Sequence, residues 1–310
     1  MNSRMEKLIN NEVFLSDGGL ETTLIFKHEI DLPHNAAFVL YDRPEGNEIF
    51  KNYYLDYINL ALNYKLNFIL ESATWRCNPD WGYKLGYSED EVMDLNIKAI
   101  NHLCELRTEY EAAETAMLVS GNMGPRGDGY VAERLMSLSE AASYHSTQIK
   151  AFKSAGADMV SAFTINYSDE GAGIVLAAKD LSMPVVISFT VETDGKLNSG
   201  ESLTEAIGVI ENASNGYPLY YMINCAHPQH FKHDLMSMPS FKERIKGIRA
   251  NSSIKSHAEL DNSTSLDSGD RNLLSMEYKN IKRQLPSFSV IGGCCGTDHT
   301  HIEHICKLLF

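Results

Sequence analysis

The sequence predicts a single (β/α)8 barrel over residues 1–310, and three observations predict it. Eight apolar, strand-like runs alternate with eight amphipathic stretches of helical length. No Pro/Ser/Gly-rich linker of domain-boundary length interrupts that alternation. The residues with the most distinctive chemistry fall at the C-terminal ends of the strand-like runs, where a barrel of this kind builds its active site. Continuous apolar strands separated by helices imply a parallel sheet covered on both faces. A doubly wound sheet is the alternative, but it normally shows fewer strands or a clear domain boundary.

The first strand, near 12–17, ends in Asp17-Gly18-Gly19, and a helix follows over about 46–64. The second, 67–72, ends in Glu71-Ser72 and runs on into Thr74-Trp75-Arg76. Its helix covers 88–114, with Ser88 three residues before Glu91 in the manner of an N-cap. The third, 116–121, ends in Gly121-Asn122-Met123-Gly124-Pro125 and precedes a helix over 139–155. The fourth, 158–165, ends in Thr164-Ile165-Asn166-Tyr167, with a helix over 168–181. The fifth, 184–191, ends in Ser188-Phe189-Thr190; Ser202 or Thr204 ahead of Glu205 starts the helix over 202–214. The sixth, 218–225, ends in Asn224-Cys225-Ala226-His227-Pro228, with a helix over 228–237. The seventh, 245–250, is followed by a polar stretch from Ser252 to Asp270, read as a long loop at the functional face, and a helix over 271–284. The eighth, 287–292, runs into Gly292-Gly293-Cys294-Cys295-Gly296-Thr297 and a helix over 299–308.

Bulk properties exclude several function classes. A 310-residue chain with a 44% hydrophobic share can bury a large core. The formal net charge of −14 argues against nucleic acid or an anionic membrane as the main partner. No apolar run reaches the roughly 18 residues of a membrane span, and residues 1–11 lack the apolar centre of a signal peptide. A cytoplasmic protein is expected. Its six cysteines are too sparse for a disulfide scaffold and are expected to be reduced.

The Gly-Gly-Cys-Cys-Gly turn carries the most chemistry. Vicinal cysteines rarely pair with each other but suit a soft metal on a tightly folding backbone. Glycines weaken strands, so this flanking serves tight turning rather than core packing. At the strand ends of a barrel, Cys225, Cys294 and Cys295 project into one mouth. Three thiolates leave one position open on tetrahedral zinc, the pattern of a catalytic site. Such an electron-rich site would activate a thiolate nucleophile rather than polarise a carbonyl. Taken alone, Cys225 reads as a core cysteine sooner than as a ligand; the Gly-Gly-Cys-Cys-Gly pair shifts that balance.

These residues resemble the homocysteine S-methyltransferase family, a zinc-dependent (β/α)8 group, over nearly the whole chain. The resemblance rests on Asp17-Gly18-Gly19-Leu20-Glu21-Thr22, Gly121 to Gly127, Ile187-Ser188-Phe189-Thr190 with Asp194-Gly195, Asn224-Cys225 and Gly292 to Thr297. It implies that Cys225, Cys294 and Cys295 hold zinc and that homocysteine sulfur takes the fourth place. Asp17, Gly18 and Asn224 would lie at the substrate, with the Gly18 N–H near the homocysteine carboxylate. The implied reaction is methyl transfer from a sulfonium donor, S-methylmethionine or S-adenosylmethionine, giving methionine.

One departure bears on the acceptor. Relatives commonly carry a glutamate at the end of the fourth strand that helps hold the substrate amino group; here Phe163 stands in that place. Glu71, on the second strand, is the candidate to replace the missing charge. The alternatives are a different thiol or selenol as acceptor, or a non-catalytic zinc or thiol-metabolite binding protein. Trp75, Trp81, Tyr83, Phe163 and Tyr167 could form part of a cage for an onium donor, though packing explains each singly. The chain ends at Phe310 without the long arm associated with the betaine enzymes' oligomers, which is compatible with a monomer. His299, His301 and His304 read as cap or surface residues, His227 as a loop residue or a support to the metal site, and Cys77, Cys104 and Cys306 as isolated thiols. The dinucleotide fingerprint is absent.

Overall fold

A computed structural model of the chain describes residues 3–132, 135–263 and 265–310. Helix α1 (Ser3–Ile9) leads into β1 (Phe14–Leu15), then α2 (Leu20–Phe26), two 3-10 turns (Pro33–Asn35 and Ala37–Asp42) and α3 (Gly46–Tyr64). Next come β2 (Asn67–Glu71), α4 (Pro79–Lys84), α5 (Glu89–Tyr110), β3 (Met117–Met123), α6 (Leu138–Ser154), β4 (Met159–Ile165) and α7 (Ser168–Asp180). The second half runs β5 (Val185–Phe189), α8 (Leu203–Ser214), β6 (Tyr221–Asn224), α9 (Pro228–Ser237), a 3-10 turn (Lys242–Arg244) and β7 (Ile245–Ala250). It ends with α10 (His257–Asp261), α11 (Arg271–Gln284), β8 (Val290–Gly293) and α12 (His299–Leu309). The strands pair in sequence order, all parallel, and close where Phe14 lies opposite Val290. This is the expected (β/α)8 barrel.

Alternation along each strand builds two cores. Ile69, Leu118, Met159, Phe163, Val186, Met222 and Val290 point inward and fill the barrel. Their neighbours Phe68, Leu70, Met117, Val119, Val160, Ala162, Val185 and Ile187 point outward and pack under the helices. A period of two with both faces covered is why these strands read as unbroken apolar runs. Met5 and Leu8 of α1 join the inner core, and Arg4 pairs with Glu111 in the loop before β3. So α1 closes the N-terminal end of the barrel.

Toward the C-terminal end the inner layer turns polar. Ser16, Glu71, Ser120, Ser161, Ser188, Asn224 and Arg249 are all buried there. The helices are anchored outside this layer by four Ser-Glu capping boxes, at Ser88/Glu91, Ser137/Glu140, Ser202/Glu205 and Ser256/Glu259. Each cap is worth roughly 0.5–2 kcal/mol.

Four short helices, α1, α2, α4 and α10, fall outside the expected alternation. Asn78 caps α4 by accepting from the Trp81 N–H at 3.1 Å, with Pro79 at its first position. The stretch expected as a long loop after the seventh strand contains α10; its Thr264, like Met1 and Asn2, lies outside the described residues. Among the described residues no helix is long and apolar enough to cross a membrane.

Candidate active site

The site forms where β6 and β8 end. Cys225 follows β6 with a left-handed backbone, φ 53°, which a side chain with a Cβ adopts only under constraint. That conformation is pinned on both sides. Its N–H donates to the Arg249 carbonyl at 3.0 Å, and its own carbonyl accepts from Asn251 Nδ2 at 2.9 Å and meets His257 Nε2. After β8, the Cys294 N–H donates to the Ala250 carbonyl at 2.8 Å, and the Cys295 carbonyl accepts from the Ser252 N–H at 3.1 Å. Glycine is required in this turn: a Cβ at Gly293 would collide with Thr297 Oγ1, and Gly296 has φ 78° against Ser252.

The three sulfur atoms of Cys225, Cys294 and Cys295 all lie within 4.8 Å of one another. Three soft donors converging from two strand ends fit a thiolate-bound metal such as zinc with one position left open. The cysteines are not all reduced as expected. Cys225 and Cys294 are joined in a disulfide, with Cα atoms 5.3 Å apart, and Cys295 stands outside it. The reason is geometric: thiols placed to share one metal ion are also within bonding reach of each other. The bond joins two strand ends 69 residues apart, not the vicinal pair.

A second set of groups forms the floor. Arg249, at the end of β7, is buried and crosses to β1, where Nη1 donates to Asp17 Oδ1 at 2.6 Å and to Ser16 Oγ, and Nη2 to the Gly18 carbonyl at 3.1 Å. Burial alone would lower its pKa, but the adjacent Asp17 carboxylate outweighs burial and raises it. The other Asp17 oxygen accepts from the Tyr53 hydroxyl at 2.9 Å. A Cβ at Gly18 would lie 2.6 Å from the Tyr57 hydroxyl, so that close approach also needs glycine. The Arg249 guanidinium lies 5.0 Å from the Phe163 ring centre. Glu71 Oε1 accepts from Ser161 Oγ at 3.0 Å, while Oε2 is buried without a partner. Burial raises the Glu71 pKa to about 7 even with Arg249 nearby.

All eight residues singled out in the sequence line one cavity of ≈ 320 Å³: Asp17, Gly18, Glu71, Phe163, Asn224, Cys225, Cys294 and Cys295. Their roles divide. Asn224 Oδ1 accepts from the Thr164 N–H at 2.9 Å and Ser188 Oγ at 2.6 Å, and Nδ2 donates to Thr164 Oγ1 at 2.9 Å. Both ends of its amide thus brace β4, β5 and β6, and hold Thr164 at φ 63°. Asn224 is therefore a positioning group for Phe163 and Cys225.

The sequence reading missed Arg249, Asn251 and His257 as lining groups, and named Arg76 and Glu21 only within longer motifs without a role. An arginine at the end of an apolar barrel strand was a readable signal for Arg249. Of the five aromatics that could form part of an onium cage, only Trp75 and Phe163 line the cavity. Arg76 lies 4.5 Å from the Trp75 ring centre and 3.8 Å from that of Trp81, and Lys84 lies 3.8 Å from Trp81. Tyr83 is 83% exposed, and the Tyr167 hydroxyl accepts from the Met136 N–H at 3.1 Å, outside the cavity lining. His227 caps α9, and His301 supports the Asp298 cap of α12 as a buried residue.

A family model described as homocysteine S-methyltransferase matches residues 14–309. No individual curated protein matches the sequence. Among solved structures, the homocysteine methyltransferase MmuM from Escherichia coli in its metallated form superposes with a TM-score of 0.77 at 18% identity, covering 98% of this chain and 99% of that one. Its oxidized form gives 0.77 at 18% identity, with 99% of each chain covered. Its apo form gives 0.72 at 19% identity, covering 99% of this chain and 100% of that one. At such identities these likenesses speak to the fold alone.

Proposed function

From the premise that this chain belongs to the homocysteine S-methyltransferase family, we propose that it transfers a methyl group from a sulfonium donor to the thiolate of homocysteine, with zinc held by Cys225, Cys294 and Cys295. The observation that carries the proposal is the convergence of three thiol sulfurs, all within 4.8 Å, on the wall of the cavity. Zinc, when bound, supplies a positive centre that keeps the acceptor sulfur in its nucleophilic thiolate form at neutral pH. The three cysteines would hold it as thiolates, so the protein is loaded with metal in the presence of a thiol or phosphine reductant.

The chain's own residues provide the rest. In the transfer itself the acceptor sulfur forms the new S–C bond while the bond from methyl carbon to donor sulfur breaks. The electron pair returns to the donor, so thiolate and onium charges disappear together. Catalysis then depends on alignment within a shared cavity. Glu71 Oε2 is the unpartnered buried acceptor suited to the homocysteine ammonium, because both Asp17 oxygens are already used by Arg249, Ser16 and Tyr53. Phe163 takes no part in charge recognition; it walls the cavity and carries the Arg249 guanidinium.

The test is methionine formation by reduced, zinc-loaded protein from homocysteine with S-methylmethionine, S-adenosylmethionine or betaine. Turnover with a sulfonium donor is expected. No turnover with any donor despite full metal loading would overturn the reading.

A further inference from the structure

Among the charged residues of the cavity that the mechanism leaves unused are Arg76 and Glu21. Arg76, in the segment after β2, is 8% exposed and lines the cavity. Its Nε is buried without a hydrogen-bond partner, and its nearest carboxylate, Asp128, is 3.9 Å away. Trp75 and Trp81 on its two neighbouring rings fix the guanidinium plane but take no hydrogen bond from it. A buried donor without an acceptor is rare in folded proteins and calls for a partner supplied from outside. Glu21, in the first turn of α2, lines the same cavity and is electrostatically coupled to Arg76. The same cavity wall therefore carries a fixed cation and an acidic group.

We propose that Arg76 and Glu21 clamp the methyl donor, Arg76 taking its carboxylate and Glu21 facing its onium centre, so that the donor is a small sulfonium or ammonium carboxylate. This deepens the methyltransferase reading and rests on it. Two observations point to the donor rather than the acceptor. Arg76 lies five residues beyond Glu71 along the chain, in the loop above the buried layer that receives the acceptor. The faces of Trp75, Trp81 and Phe163 already carry guanidinium or ammonium groups of the protein. An onium centre is thus met by a carboxylate in place of an aromatic cage. A cavity of ≈ 320 Å³ is at the small end of the roughly 300–1,000 Å³ range of ligand sites, which favours a compact donor beside the acceptor.

Calorimetric titration of the reduced, zinc-loaded protein tests the clamp with two matched pairs. One is S-methylmethionine against its carboxamide; the other is glycine betaine against tetramethylammonium. At least one carboxylate probe should bind roughly 10–100-fold more tightly than its partner, the range of a charge-assisted hydrogen-bonded pair. Arg76→Met should erase that difference while homocysteine binds as before. Arg76→Lys, which keeps the charge but not the planar guanidinium, should fall between, and serves if the methionine variant fails to fold. Glu21→Gln should weaken both members of a pair equally. The clamp is overturned if the wild type shows no carboxylate preference, if Arg76→Met retains it, or if that variant weakens homocysteine instead. Failure of the broader reading looks different: zinc content or homocysteine binding of the wild type itself would then be absent.

Discussion

The two sides of the barrel mouth solve different problems. The sulfur side, at the ends of β6 and β8, gathers three soft ligands on strained and glycine-dependent backbone, and its chemistry depends on redox state. The charged side, at the ends of β1, β2 and β7, is prepaired: Arg249 joins Asp17 in a buried ion pair, and Glu71 holds one oxygen in reserve. The difference teaches that soft ligands and charged groups are kept apart here. On the proposed reading, the sulfur side activates a thiol and the charged side selects which thiol and which donor are held against it.

Substitutions on the two sides should therefore separate cleanly. The largest effect is expected from replacing Cys294 and Cys295 together by alanine: loss of the metal and of all turnover, measured by metal analysis and methionine formation, with the barrel intact by circular dichroism. Metal retained in that double variant would break the comparison. Next comes Arg249→Met, which leaves the Asp17 carboxylate buried without its cation. Breaking a buried pair in this way costs about 3–5 kcal/mol, visible in urea unfolding. A smaller loss would mean that the pair is not what braces the floor.

Glu71→Gln should raise the homocysteine KM roughly 10–100-fold with kcat nearly unchanged, since a charged hydrogen bond is worth about 1.5–3 kcal/mol. An unchanged KM would remove Glu71 from recognition. The smallest effect concerns pH. Burial raises Glu21 and Glu71 to about 7, so each keeps a proton in the folded chain that the unfolded chain releases above its ordinary value of 4.5. Their stabilising contribution is full below about 4.5 and is lost as pH rises through 7. The unfolding free energy of wild type relative to the Glu21→Gln/Glu71→Gln double variant, from urea titrations, should fall between pH 5 and pH 8. A pH-independent difference would show that these carboxyls ionise normally.

The same contrast explains what was legible in the sequence. Eight strands and their eight long helices were readable because each is a local pattern, apolar runs against amphipathic repeats. The sulfur side was readable because Gly292 to Thr297 is contiguous and its composition has few other uses. The charged side was readable only in part: Asp17, Gly18 and Glu71 stood out, but their partner Arg249 did not, because each strand contributes one residue and the pairing is long-range, with Asp17 and Arg249 232 positions apart. Asn224 was legible as a site residue, but its work as a brace to Thr164 and Ser188 appears only once β4, β5 and β6 lie side by side. The short helices escaped for a local reason: α2 starts at a Gly-Gly pair, and α4 and α10 are too short to show a period. The disulfide was invisible because sequence fixes which cysteines meet but not their oxidation state.

The central claim is that Cys225, Cys294 and Cys295 together hold a metal that leaves one place for a substrate sulfur. Zinc-edge X-ray absorption of the reduced, zinc-loaded protein tests it directly. The predicted result is about one zinc per chain with three sulfur ligands and one lighter ligand, changing to four sulfurs when homocysteine is added. A shell dominated by nitrogen or oxygen, or one unchanged by homocysteine, would contradict it.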